Sequence, residues 1–308
     1  MLQNVDYIKN FPAADKSYQE EDWYNHFGDA VVIFNCNSSR IHYPEHWTPL
    51  SIKCAFGGKE YYKMSNRTYA VQDENFLLLN EGNMYESFIN SDTLTESLTI
   101  NFTPTNIKDL SAFMNEGAHK VVDDPLREST TSFRVFEKLY PHNDKTKTFL
   151  HGIRNHFNAS CNDALKLQEM LSFLLEEFVS LHTETRMEID KMQAKKKTTR
   201  EEIYRRIHIA KDYLESCYEE NICLEDLSRI CLLNSFQLLR EFDKYFKVTP
   251  HKYLMCVRML EAKKLIEQNK KSLAEIAQKV GYDDVSSFSK LFKSYFGIAP
   301  HHYRTINV

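Results

Sequence analysis

The 308-residue chain has no run of 18 consecutive apolar residues, so no bilayer span is expected. It has no basic N-terminal segment leading into an apolar core, the pattern a secretory leader would need. Its seven cysteines are odd in number and scattered, and none forms a C-x-x-C pair. That argues against a disulfide framework or a zinc site and for reduced thiols in a cytoplasmic protein. No Gly-rich phosphate loop and no Ser-His-Asp or Cys-His arrangement stands out, so no cofactor is expected. A strong basic excess is also lacking, because the net charge is −4.

The distribution of that charge is more informative than its sum. From Arg200 onward there are 18 Lys and Arg against 15 Asp and Glu, while the remainder holds 21 against 28. The small positive excess sits on the part of the chain with helical periodicity, which a nucleic-acid-binding region would share. Length suggests two domains, and 42% hydrophobic with 27% charged residues is ordinary for a globular protein.

Residues 272–304 read as two short helices around a tight turn. Ser272 with Glu275 forms a capping-box pattern, and Leu273, Ile276, Ala277 and Val280 lie on one helical face. Gly281 suits a left-handed stop, Asp283 the next N-cap, and Asp284 the positive end of the second helix. Phe288, Leu291, Phe292 and Tyr295 form a buried stripe, with Ser286, Ser289, Lys290 and Lys293 opposite. An aromatic back with a slim, polar, basic front is what entry into a DNA major groove needs. The same pattern also fits an ordinary helical hairpin.

A second copy decides between these readings. Leu224, Leu227 and Cys231 match Leu273, Ile276 and Val280 at an offset of 49. Arg240, Phe242, Tyr245, Phe246, Pro250, His251 and Tyr253 match Lys290, Phe292, Tyr295, Phe296, Pro300, His301 and Tyr303 at an offset of 50. Such self-similarity marks a repeated supersecondary unit, with a connecting helix over 253–268. In the first copy Cys223, Leu232 and Lys247 stand where the second has Ser272, Gly281 and Gly297.

The run from Ile276-Ala-Gln-Lys-Val-Gly-Tyr through Phe288-Ser-Lys-Leu-Phe-Lys-Ser-Tyr-Phe-Gly-Ile-Ala-Pro-His-His-Tyr-Arg304 resembles the DNA-binding domain of AraC/XylS family transcription regulators. Arg258-Met-Leu-Glu-Ala-Lys-Lys-Leu265 resembles that family's linker helix, and the likeness covers about residues 203–305. The resemblance implies two helix-turn-helix units whose recognition helices enter successive major grooves. Carried over by position, the first unit's groove-facing residues are Phe236, Gln237, Leu239 and Arg240. Those of the second are Val285, Ser286, Ser289 and Lys290. Arg240 suits a bidentate guanine contact, and Lys244 and Lys293 suit phosphate.

Residues up to about 103 read as many short strands. They are Val31–Phe34, Leu50–Phe56, Tyr61–Met64, Thr68–Val71, Phe76–Asn80, Met84–Phe88 and Ser97–Phe102. The resemblance implies a cupin-like effector barrel in this place. From Thr105 the period becomes helical, through Ile107, Leu110, Phe113 and Met114, then Phe133, Phe136, Leu139 and Tyr140, then Phe149, Ile153 and Phe157. A longer helix, 162–183, carries Leu167, Met170, Leu171, Leu174, Leu175, Phe178 and Leu181. That stripe either covers its own domain's core or also makes a dimer. Polar, basic Lys191–Arg200 reads as a linker.

His42, Glu45 and His46 surround Pro44, where a loop is expected, and lack the His-x-His order of a metal cupin. Tyr61, Tyr62, Tyr69, Tyr85, Trp47 and Arg67 could line a ligand pocket, and alternation alone does not choose among them.

The expected fold is α+β. A cupin-like sensing and dimerisation domain spans 1–185, a linker 186–199, and an AraC-type DNA-binding domain 200–308. The expected partners are double-stranded DNA, a small-molecule effector, a second copy of the chain and, for an activator, RNA polymerase. No metal and no membrane is expected among them. A metal-dependent cupin enzyme fused to a DNA-binding module, or a barrel that binds a protein, are the alternatives.

Overall fold

The computed structural model describes residues 5–8, 30–103, 105–106, 134–158, 163–192 and 196–307. The chain divides into two compact units, Met1–Arg200 and Glu201–Val308. The expected helix through Ile107 and Met114 lies outside the described residues.

Among its described residues the first unit is built on one eight-stranded sheet: β1 (Val5–Ile8), β2 (Val31–Thr48), β3 (Ser51–Phe56), β4 (Glu60–Met64), β5 (Arg67–Val71), β6 (Asn75–Leu79), β7 (Asn83–Asn101) and β8 (Leu139–Pro141). The long strands β2 and β7 pair antiparallel over almost their whole lengths, and β7 also pairs β3 and β4. Two of the strands expected from sequence, Met84–Phe88 and Ser97–Phe102, are halves of this single strand β7. Between them, Ile89, Asn90, Thr95 and Glu96 pair with β2, and the register shifts across the unpaired Ser91–Leu94 without ending the strand.

The segment around His42, Glu45 and His46 is likewise strand, not loop. The register with β7 slips between Tyr43 and His46, where Pro44 lacks an N–H for the ladder. His42 Nε2 lies 3.1 Å from Glu86, and His46 Nδ1 lies 2.8 Å from the Pro44 carbonyl. Among the described residues, no three His, Cys, Asp or Glu side chains are grouped to hold a metal ion. The expected helix over Phe133–Tyr140 is in its described part an extended segment ending in β8. Leu139 and Tyr140 pair with Leu77 and Phe76 of β6. Residues buried on every side carry no periodicity that separates helix from strand.

Helices α1 (Asp144–Asn158) and α2 (Ala164–Asp190) cover one apolar core of the sheet. All seven residues of the α2 stripe lie in or against that core, with Leu171, Leu174 and Phe178 fully buried. The helix also runs past Thr183, because His182, Thr185 and Ile189 continue its buried spacing. The expected linker 186–199 is therefore mostly helical in its described residues. It is split between α2 and the start of α3 (Lys197–Ser216), and Arg200 pairs with Asp190 at 3.0 Å.

A second core holds Tyr62, Tyr69 and Tyr85 together. Tyr61 takes the other face of β4 and stacks on Phe88 at 5.1 Å, as strand alternation requires. Trp47 is only half-buried, and Arg67 pairs with Glu137. Lys53 and Glu60 lie in the same unit with almost no exposure, 2% and 3%. Lys53 Nζ donates to the Tyr85 hydroxyl at 2.8 Å and sits 4.7 Å from that ring's centroid. Burial holds the Lys53 ammonium down to about 7, and burial pushes Glu60 up. An alternating pattern would have turned Lys53 to solvent, but β3 is covered on both faces.

The second unit is all helical and repeats itself. It contains α4 (Leu224–Cys231), α5 (Ser235–Phe246), α6 (Pro250–Glu267), α7 (Leu273–Lys279), α8 (Val285–Phe296) and α9 (Pro300–Asn307). Behind α5, the rings of Phe242, Phe246 and Tyr253 meet at centroid distances of 4.5, 5.6 and 5.9 Å. Behind α8, Phe292, Phe296 and Tyr303 meet at 4.6, 5.6 and 6.2 Å. Each copy is thus a short helix, a turn, a longer helix and a proline-started helix that carries the third ring. Among the described residues of the chain, no helix is long and apolar enough to cross a membrane.

Candidate nucleic-acid interface

Each short helix stops in the same way. In the first copy the Leu232 N–H donates to the Arg229 carbonyl and the Leu233 N–H to the Ser228 carbonyl. In the second, Gly281 donates to Gln278 and Tyr282 to Ala277, the same pair of bonds at an offset of 49. Both are Schellman stops, which need a left-handed residue. Gly281 supplies it at φ +81°, whereas Leu232 adopts φ +55° at a steric cost of about 1 kcal/mol. The copies repeat the contrast at the end of the longer helix, where Gly297 takes φ +75° and Lys247 takes φ +62°.

The second turn is one residue longer, so the offset rises from 49 to 50 there. The extra residue makes Asp284, not Asp283, the N-cap of α8. Its carboxylate accepts from the N–H groups of Ser286 and Ser287 at 3.1 and 2.7 Å. These bonds, Ser287 first, hold Asp284 below the usual carboxylate range. Asn234 caps α5 through the Gln237 N–H at 2.8 Å. Ser272 and Glu275 form the complete capping box of α7, and Cys223 caps α4 with its sulfur.

The caps set the rotation of each longer helix. On α5, Leu238, Glu241 and Phe242 point inward, while Phe236, Leu239, Arg240 and Lys244 are exposed and Gln237 is half-buried at the edge. On α8, Phe288 and Phe292 are buried, Val285, Ser286, Lys290 and Lys293 are exposed, and Ser289 is half-buried. The ten residues singled out in the sequence thus lie on the outward or flanking faces of two equivalent helices. Tyr295, expected in the buried stripe, is exposed instead, because the stripe of a helix this short narrows to Phe288 and Phe292.

The front of α5 is more structured than its sequence suggested. Phe236 is 73% exposed, an unusual placement for a large apolar ring. The Arg240 guanidinium lies 5.9 Å from that ring's centroid. Arg240 Nε and Nη2 both donate to Glu241 Oε1, at 2.9 and 2.7 Å. The Glu241 side chain is only 11% exposed and that of Arg240 is 58% exposed. The cation is therefore paired with a nearly buried carboxylate and lies near an exposed ring. Sequence reasoning passed over Glu241; an acid directly after the arginine chosen for base reading was the available signal.

Two helices joined by a tight turn, the second presented outward on an aromatic base, define a helix-turn-helix domain, here present twice. The family model described as "Helix-turn-helix domain" matches residues 227–306. Over 92 residues the chain is 38% identical to the uncharacterized HTH-type transcriptional regulator YdiP of Escherichia coli (strain K12), covering 30% of each chain. It is 38% identical over 94 residues to YisR of Bacillus subtilis (strain 168), covering 30% of this chain and 33% of that one. YisR is also named as an uncharacterized HTH-type transcriptional regulator. The Msm operon regulatory protein of Streptococcus mutans is 27% identical over 179 residues, 55% of this chain and 60% of the relative. The chain thus spans between 30% and 60% of the length of these three relatives. Residues 227–306 are thus a helix-turn-helix region of the AraC type.

Proposed function

We propose that the whole protein is a sequence-specific DNA-binding transcription regulator. The observation that carries this reading is the repeat itself, two capped helices with aromatic backs and exposed fronts that each carry a basic side chain, Arg240 and Lys290. They lie in successive major grooves about one helical turn, roughly 34 Å, apart. On α5, Arg240 and Gln237 hydrogen-bond to base edges, and Phe236 and Leu239 meet thymine methyls or sugars. On α8, Val285, Ser286, Ser289 and Lys290 make softer contacts, and Lys244 and Lys293 meet phosphate.

Residues 1–185 act as a cupin-like sensing domain rather than as an enzyme. The polar cluster of Lys53, Glu60, Tyr62 and Tyr85 is the part suited to a ligand's polar group. The protein works in the cytoplasm as a homodimer. Because the α2 stripe is covered by its own unit, dimerisation falls to the opposite side of that helix, where Leu165, Phe173 and Met187 are exposed. An activator would also meet RNA polymerase.

The test is a gel-shift titration of the full chain against duplexes selected from a random pool. Specific binding that weakens steeply with salt is expected, as Lys and Arg release counterions. Failure to bind any selected duplex at low salt refutes the reading.

A further inference from the structure

Two recognition helices read a bipartite site only if something fixes the distance and twist between them. In the second unit, one side chain bonds both to the segment entering the first helix-turn-helix and to the turn inside the second. Arg258, on the connecting helix α6, is buried, with 9% exposure. Its Nε donates to the Tyr218 carbonyl at 2.8 Å and its Nη2 to the Glu220 carbonyl at 2.8 Å. Both carbonyls belong to the segment that leads into α4. Its Nη1 donates to the Gly281 carbonyl at 3.1 Å, inside the turn between α7 and α8. One planar group therefore bonds to the entry of the first helix-turn-helix and the turn of the second.

The approach on the Gly281 side is too close for any other residue. A Cβ there would lie 2.7 Å from Arg258 Nη2, 2.8 Å from Cζ, and 3.0 Å from the Glu219 carbonyl oxygen. The Tyr282 ring stands 5.3 Å from the guanidinium, and its hydroxyl bonds to Met255 Sδ on α6 at 3.2 Å. A guanidinium presents its donors in a rigid plane, so three carbonyls bound to it keep fixed mutual directions. An ammonium on a flexible stem cannot do this.

We propose that Arg258 is a positioning residue that sets the spacing at which the two helix-turn-helix units read DNA, without touching DNA itself. The proposal rests on the DNA-binding reading above. With the clamp closed, α5 and α8 move as one body. One inserted base pair then displaces the second subsite by about 3.4 Å and turns it by about 34°, out of reach of α8.

The experiment uses the full chain and one selected bipartite duplex, with zero, one or two base pairs inserted between the subsites. For the unmodified chain, one insertion is expected to lower affinity at least tenfold. Arg258→Lys, checked for folding by circular dichroism, is expected to bind the original duplex more weakly. Its insertion penalty is expected to fall below about threefold, which a merely destabilised domain would not show. Gly281→Ala, which displaces the guanidinium from the other side, is expected to flatten the profile in the same way. A folded Arg258→Lys chain with an insertion profile as steep as the unmodified chain's overturns the proposal. A flat profile in the unmodified chain overturns it whatever the variants do. Absence of binding to every duplex appears before any spacing is varied and removes the DNA-binding reading itself.

Discussion

Replacing Arg240 by alanine removes more than a base contact. If Arg240 meets a guanine bidentately, truncation costs about 1–3 kcal/mol of discrimination at that base pair. It also leaves the Glu241 carboxylate, 11% exposed, without the two N–H groups it accepts from this cation. A nearly buried acceptor deprived of its donor costs about 1–3 kcal/mol of folding stability. A loss of binding by Arg240→Ala therefore mixes two effects of similar size. Glu241→Gln separates them: it keeps the shape of the side chain, removes the charge and frees the guanidinium.

The double-mutant cycle is run by fluorescence anisotropy on the selected duplex and on a duplex with the guanine replaced, beside urea unfolding of each chain. Arg240→Ala is expected to erase the difference between the duplexes and to lower stability by about 1–3 kcal/mol. Adding Glu241→Gln is expected to restore most of the stability and none of the discrimination. Glu241→Gln alone is expected to retain discrimination. Discrimination that survives Arg240→Ala, or returns in the double variant, refutes the assignment of base reading to Arg240.

Further outcomes follow from the same geometry. Lys290→Ala is expected to weaken binding to many sequences alike and to reduce the salt slope by about one; a changed site preference in random-pool selection would count against that role. Gly297 has open space around it, so Gly297→Ala should cost about 1 kcal/mol in urea unfolding from its positive φ alone, and Lys247→Gly should gain a similar amount. Lys53 titrates near 7 in the folded chain and at 10.5 when exposed, so between those values the unfolded chain holds the extra proton. Stability from this group therefore rises with pH, and the melting temperature of the unmodified chain should climb from pH 7 to 9 more than that of Lys53→Met. Leu165→Asp combined with Met187→Asp should convert a dimer to a monomer in light scattering, and a monomeric unmodified chain would remove that proposal.

The helix-turn-helix unit was legible in the sequence because its signals are local. A cap, a Schellman stop and a 3.6-residue stripe each act within a few residues, and two copies at a fixed offset confirm one another. Even the irregular first copy could be read, since Leu232 and Lys247 stand where the second has Gly281 and Gly297, and all four take the left-handed backbone. What depended on partners distant in sequence was not legible. The sheet pairing turned Leu139 and Tyr140 into a strand, merged two expected strands into β7, and drew His42 and His46 into β2. Lys53 became a buried ammonium because both faces of β3 are covered. Arg258 looked like one motif residue on a helix, yet only the packed domain brings Tyr218, Glu220 and Gly281 to its three nitrogens. Hydrogen bonds and caps within one turn are written in sequence order, whereas burial and long-range bonding are decided by which surfaces meet.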